Sequence, residues 1–260
     1  MSAMESGYTE ARLRELLRRA ENGAPVSTDF LNPEEQYRVD RLLASLDCGD
    51  VRTVYWGGWE DAERQKLFLL PSWVNEEDCA SIPQEEIGAI RITGSGYRTL
   101  EHRSYLGAVL SLGVRREHLG DLVLPDDRGA VLFMNAALVP FFAQTPCPLE
   151  RVGSDCVRVT APAVLTEPLP KRTYEAFYDT VASARLDCVV AAFARLSREK
   201  AQNLVQSGDV QLNYAEELRC DAAVGAGDIV SVRRCGKFRI DRIEPKAKGS
   251  RLRLFADKYK

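Results

Sequence analysis

Histidine is almost missing from this 260-residue chain, with His102 and His118 the only two. Its seven cysteines (Cys48, Cys79, Cys147, Cys156, Cys188, Cys220 and Cys235) are scattered, odd in number and never spaced as C-x-x-C. A zinc site needs several nitrogen or sulfur ligands at close spacing, so no metal is expected, and reduced structural thiols are. No stretch of eighteen apolar residues occurs, which argues against a membrane-spanning helix and a membrane partner. Met1 to Asn22 reads as a charged amphipathic helix without an apolar signal core, so a cytoplasmic location is expected. Enzymatic signatures are also missing. Gly94-Ser95-Gly96 is too short to be a dinucleotide loop, and no carboxylate pair or Cys–His arrangement stands out. Neither a cofactor nor catalysis is expected.

The net charge of −3 hides an asymmetry. Residues 181–260 hold 16 Lys/Arg against 10 Asp/Glu, a balance of +6, while the preceding 180 residues hold 19 against 28, or −9. Within residues 229–260 the balance reaches +8. An acidic body carrying a basic C-terminal part points to a local face for a polyanion. A solvated basic edge would give the same count.

Apolar periodicity sets out the elements. Leu13, Leu16, Leu17 and Ala20 make a helical stripe that Asn22-Gly23 ends. Asn32, Pro33, Glu34 and Glu35 form a helix start, with the helix running to about Asp47. Strands are expected at Val51–Trp56, Lys66–Leu70 and Glu86–Thr93. A helix follows, with its stripe at Leu106, Val109, Leu110 and Leu112, then strands at Asp121–Leu124 and Ala130–Met134 around Pro125–Gly129. A helix over Asn135–Ala143 and a strand at Cys156–Thr160 complete this part. Arg172–Ala182 reads as a strand or connector, and Lys246–Arg251 as a loop between two final strands. This order predicts an α+β fold, with helices over one face of an antiparallel sheet. Three parts are expected: 1–80, an N-terminal helical and α/β segment; 81–172, the central α+β domain; and 182–260, a C-terminal helix-loop-helix with a small sheet.

The C-terminal part is the most specific. Leu186, Val189, Val190 and Phe193 stripe one short helix, and Ala201, Leu204 and Val205 face it from a second helix capped by Ser197. Gly208 is placed as a left-handed helix end, and Gly227-Asp228 as a tight turn. The pattern R-L-D…S-R-x-x-A-x-x-L-V-x-x-G-x-V-x-x-N…G-D-x-x-S-V-R, from Ala184 to about Lys237, resembles the S-four RNA-binding domain. That resemblance implies basic groups on the helix pair and an adjacent strand presented to folded RNA. The candidate contacts are Arg185, Arg198, Lys200, Arg233, Arg234, Lys237 and Arg239; Gly208 and Asn213 are read as turn residues.

A second resemblance runs through "DFLNPEEQYRVDRLL", "GGWEDAERQKLFLLP", "HRSYLGAVLSLGVRREHLGDLVL" and "SVRRCGKFRI". In this order they are similar to the YlmH family. Here Arg234 stands where the family has glycine, and Lys237 where it has arginine. The resemblance implies a bacterial ribosome-associated protein with a central domain like a diverged RNA-recognition motif. The partners it implies are ribosomal RNA, tRNA and a large ribosomal subunit still carrying peptidyl-tRNA, in quality control of stalled chains; a monomer is expected. His102, Arg103, Arg115 and Arg116 are a second candidate cluster, on one edge of the central domain. Two rival readings remain: an RNA-modifying enzyme such as a pseudouridine synthase, and a protein-interaction adaptor linked to cell division. The first needs a catalytic Asp in a loop, whereas the only Arg-Leu-Asp, Arg185 to Asp187, opens a helix.

Overall fold

The computed structural model describes residues 9–164, 168–171, 173–246 and 251–259. These fall into two compact units, Met1–Lys171 and Arg172–Lys260, each with its own core. The α+β class read from the sequence is the class that forms.

In the first unit, α1 (Glu10–Glu21) buries Leu13, Leu16, Leu17 and Ala20, the stripe its periodicity announced. Strand β1 (Val26–Ser27) leads into α2 (Pro33–Leu43), which begins with a reciprocal cap. The Glu35 amide donates to Asn32 Oδ1 at 2.9 Å, and the Asn32 amide to Glu35 Oε2 at 2.7 Å. Strands β2 (Arg52–Trp56) and β3 (Lys66–Leu70) complete a small antiparallel sheet of order β1-β3-β2. Helix α3 (Glu76–Glu86) has no counterpart in the sequence reading, because Pro83 lies inside it and it lacks an apolar stripe.

The second sheet of this unit is built from β4 (Ile87–Gly94), β5 (Leu119–Asp126), β6 (Gly129–Asn135), β7 (Arg151–Val152) and β8 (Asp155–Thr160), all antiparallel, in the order β5-β6-β4-β8-β7. Helix α4 (His102–Ser111), between β4 and β5, packs Tyr105 and Val109 against Ile90, Ile92, Leu132 and Met134 on one face. The buried stripe is therefore Tyr105 and Val109, with Leu106, Leu110 and Leu112 only half-buried at its flanks. On the other face Val131 and Phe133 pack with Phe30, Phe68, Leu70 and Val74. Strand β6 is covered on both sides, which explains its unbroken apolar run AVLFM. The helix expected over Asn135–Ala143 is instead a 3₁₀ turn at Ala136–Leu138 followed by the one-turn α5 (Val139–Phe142), which has a proline in its first turn.

The second unit opens with β9 (Tyr174–Val181), a strand rather than a connector. The pair α6 (Leu186–Ala194) and α7 (Arg198–Gln206) follows, and then β10 (Val210–Leu212), β11 (Ala215–Glu216), β12 (Ile229–Val232), β13 (Gly236–Pro245) and β14 (Leu252–Tyr259). The antiparallel sheet has the order β11-β10-β12-β13-β14-β9, so its first strand pairs with its last. The helix pair covers one face. Phe193 of α6 stacks on Phe238 of β13 with centroids 4.0 Å apart, and Phe177 of β9 meets both rings edge-on. Residues 247–250 of the expected final loop lie outside the described residues; the strands on either side of it form as read.

Candidate nucleic-acid interface

Asp187 is the hub of the helix pair. It is the second residue of α6, fully buried, and its carboxylate accepts from three side chains. Arg185 Nε donates at 3.2 Å, Arg198 Nε at 3.0 Å and Gln202 Nε2 at 3.0 Å. Burial alone would raise its pKa, but donation from Gln202, Arg198 and Arg185 outweighs that and holds it at about 2. The acid stays charged and fixes two arginines that keep much of their side chains in water. In turn, Asp187 raises the pKa of the Arg198 guanidinium. This buried carboxylate is a structural anchor for surface cations, and it supplies a polar reason for the R-L-D triplet.

The joint between the helices presents more charge than the sequence reading named. Arg195 caps α6 in the left-handed region, with φ 53°, and is exposed. Ser197 Oγ accepts from the Lys200 amide and starts α7, leaving Lys200 exposed on its first turn. At the far end of α7, Gly208 has φ +78° as expected of a helix end, and Asp209 ties the β12–β13 hairpin to it. Arg233 Nη1 donates to Asp209 Oδ1 at 3.0 Å, and the Arg233 amide to the Asp209 carbonyl at 2.9 Å. Arg234, at the hairpin tip, takes φ 64°, in the left-handed region that favours glycine. Among the described residues, Arg195, Lys200 and Arg234 form no ion pair. Both arginines sit in the left-handed region, where a side chain costs about 1–2 kcal/mol. Arg195 could have been noticed from its place between two apolar stripes, just before a Ser cap.

The structure brings together only part of the predicted set. Arg185, Arg198 and Lys200 lie on the helix pair, with Arg233 and Arg234 at the hairpin beyond the end of α7. Lys237 and Arg239 flank Phe238, whose ring packs against α6, so both point to the opposite face of the sheet. Asn213 is turn chemistry: it has φ 51°, its Oδ1 accepts from the Ile229 amide, and its Nδ2 donates to Asp228.

The second candidate cluster separates as well. His102 and Arg103 begin α4, and Arg115 and Arg116 follow its end, about 15 Å further along a ten-residue helix. His102 is exposed, Arg103 pairs with Glu101 at 2.7 Å and Arg115 pairs with Glu117. Arg116 turns inward and donates to the carbonyls of Leu119 and Gly120 at 2.9 and 3.2 Å. Burial, with Arg64 nearby, lowers its pKa to about 10. It is a structural arginine. Arg64 acts alongside it, donating to the Leu119 and Phe30 carbonyls, while Asp121 accepts from the amides of Glu63 and Arg64 and from Trp59. Trp59 also lies parallel to Phe133 and packs against the core, whereas Trp73 donates to the Gly23 carbonyl but stays 62% exposed.

These sequence and structural features have relatives. A family model described as "YlmH, N-terminal" matches residues 7–73, and one described as "Putative RNA-binding domain in YlmH" matches residues 86–164. The ribosome-associated protein quality control protein P2 of Bacillus subtilis (strain 168) is 30% identical over 234 residues, 90% of this chain and 87% of that protein. The chain belongs to the YlmH family. A solved structure of the cell division protein ylmH from Streptococcus pneumoniae is similar at 18% identity and a TM-score of 0.44, covering 62% of this chain and 95% of that one. The YlmH RNA-binding domain coincides with the sheet β5-β6-β4-β8-β7. Phe30 and Phe68 cover the β6 side of that sheet, so that face is packed against protein. The loop after β4 carries Tyr97, 92% exposed, beside Arg98. Among the described residues no helix is long and apolar enough to cross a membrane, and no three His, Cys, Asp or Glu side chains gather as for a metal.

Proposed function

We propose that this protein is a non-catalytic RNA-binding factor. It docks on a large ribosomal subunit that still carries peptidyl-tRNA and acts in quality control of the stalled chain. In this reading residues 182–260 are an S-four-type module, residues 81–172 the second RNA-binding part and residues 1–80 its support. The observation that carries it is the cationic ridge of Arg195, Arg198 and Lys200 at the helix joint, held in part by buried Asp187 and followed by Arg233 and Arg234. Such a ridge suits the phosphates of folded RNA, where charge supplies affinity and shape supplies selection. The name of the Bacillus subtilis relative supports the ribosomal setting.

Co-sedimentation with split large subunits, with and without peptidyl-tRNA, tests the reading. Wild type is expected to pellet preferentially with the peptidyl-tRNA-bearing subunits and to be released by salt. The Arg198→Ala/Lys200→Ala variant should lower the log–log salt slope by about two, roughly one per lost phosphate contact. Wild type that binds free RNA but ignores both kinds of subunit would sink the ribosomal part.

A further inference from the structure

The face of the second unit's sheet opposite the helices is lined by rings and cations in contact. Lys237 Nζ lies 5.1 Å from the Tyr214 ring centroid and 5.0 Å from that of Tyr259. Tyr259 meets Tyr174 edge-on at 5.2 Å, and the Arg239 guanidinium sits 5.5 Å from the Tyr174 ring. One row further, Arg242 stacks at 4.0 Å on Phe255, whose ring is 5.1 Å from Tyr178. The strand register explains the rows: Tyr259 is opposite Tyr174, and Phe255 is opposite both Arg242 and Tyr178. Alternation explains the face, since Phe177, Phe238, Leu254 and Ala256 point into the core between these residues.

We propose that this face binds an unstructured, single-stranded stretch of RNA, whose bases stack on Tyr174 and Tyr178 while its phosphates meet Lys237, Arg239 and Arg242. The proposal rests on the RNA-binding reading of the unit but uses a different surface and a different form of RNA. Three observations favour it. Tyr178 is 59% exposed and Tyr174 39%, so these rings leave aromatic surface in water although the core lies on the other side. The rings stand about 13 Å apart along β9, which gives each room for its own base. Strands β12 to β14 lie within the part of the chain whose balance is +8, so the local field draws an anion rather than an average protein surface. Stacking on open rings requires unpaired bases, which excludes a duplex, and it tolerates any sequence. Asp257 at 3.0 Å from Arg239 and Glu244 at 3.0 Å from Arg242 hold the guanidinium groups in place in the absence of RNA.

Fluorescence anisotropy on the full chain tests this with a short oligoadenylate and, in parallel, a stable RNA hairpin. Tyr174→Ala/Tyr178→Ala is expected to weaken oligoadenylate binding at least about tenfold and to leave hairpin binding within about twofold. Tyr174→Phe/Tyr178→Phe keeps the rings and should bind both RNAs as wild type does. Arg198→Ala/Lys200→Ala should show the reverse pattern, a weakened hairpin and an unchanged oligoadenylate, so the two surfaces fail separately. Undiminished oligoadenylate binding by the alanine variant overturns the proposal, as does a wild-type protein that ignores oligoadenylate at low salt. Crosslinking a thiouridine-containing oligonucleotide to wild type requires no variant. It is expected to label β9 and β14 peptides, and labelling confined to α6 and α7 overturns the proposal equally.

Discussion

Two residues show how charge is held in place here. Asp187 is buried but ionised, with a pKa near 2 against the usual 3.8. A carboxylate whose folded pKa lies below its unfolded value stabilises the fold above about pH 4, and that contribution disappears as pH falls from 4 toward 2. The shift corresponds to on the order of 2 kcal/mol. Urea midpoints measured across that range should drop more steeply for wild type than for Asp187→Asn. The variant should already be less stable at pH 7, with weaker hairpin binding, because Arg185 and Arg198 lose their anchor. Equal acid sensitivity of both proteins would show that the carboxylate is not ionised. Arg234 presents the opposite balance. Replacing it with glycine relieves a left-handed arginine, so Arg234→Gly should be as stable as wild type or up to about 1 kcal/mol more stable. It should nevertheless bind folded RNA more weakly, with a salt slope lower by about one. Thermal melts and a salt titration of the same sample decide between a charge kept for binding and a tolerated accident.

Among the elements, those with strong local signals were readable from sequence. The α1 stripe, the Asn32-Pro33 start of α2, the Ser197 cap and Gly208 all lie where periodicity and capping chemistry put them. Helix α3 was not readable, since Pro83 and scattered polar residues erase its period, and tertiary contacts such as the ion pair of Lys66 and Glu86 at 2.7 Å hold it. The candidate site was legible as a set of cations but not as a surface. Arg185, Arg198 and Lys200 share the helix pair, whereas Lys237 and Arg239 face away from it. Alternation around Phe238 carried that information, but only once Phe238 was known to face the helices. The inward turn of Arg116 was not legible, because a guanidinium that satisfies backbone carbonyls has the same sequence signature as one that meets phosphate. Two variants separate these levels. Asn32→Ala removes one side of a reciprocal cap and should cost about 1 kcal/mol in a melt, with RNA binding unchanged. Phe193→Ala removes the ring that joins α6 to the sheet and should cost about 3–5 kcal/mol, abolishing hairpin binding by loosening the second unit.

At the scale of the whole molecule, charge is divided between the units. Residues 1–171 hold 18 basic and 26 acidic side chains, and residues 172–260 hold 17 and 12, so balances of −8 and +5 accompany the division into two cores. A fragment of residues 172–260 retains a full core cluster and should fold alone. Without the acidic unit it should bind unrelated RNA more tightly than the full chain at low salt, and the gap should close as salt screens the field. Equal affinities in low salt would show that the acidic unit exerts no such restraint. The strand order has a mechanical consequence too. Strand β9 begins at Tyr174 and β14 ends at Tyr259, and these two residues are paired across the same ladder. A pull applied at residues 173 and 259 therefore loads the hydrogen bonds one rung at a time, as in opening a zipper. The second unit should yield at low force from that end, peeling β9 away while the stacked phenylalanines still hold α6 on β13.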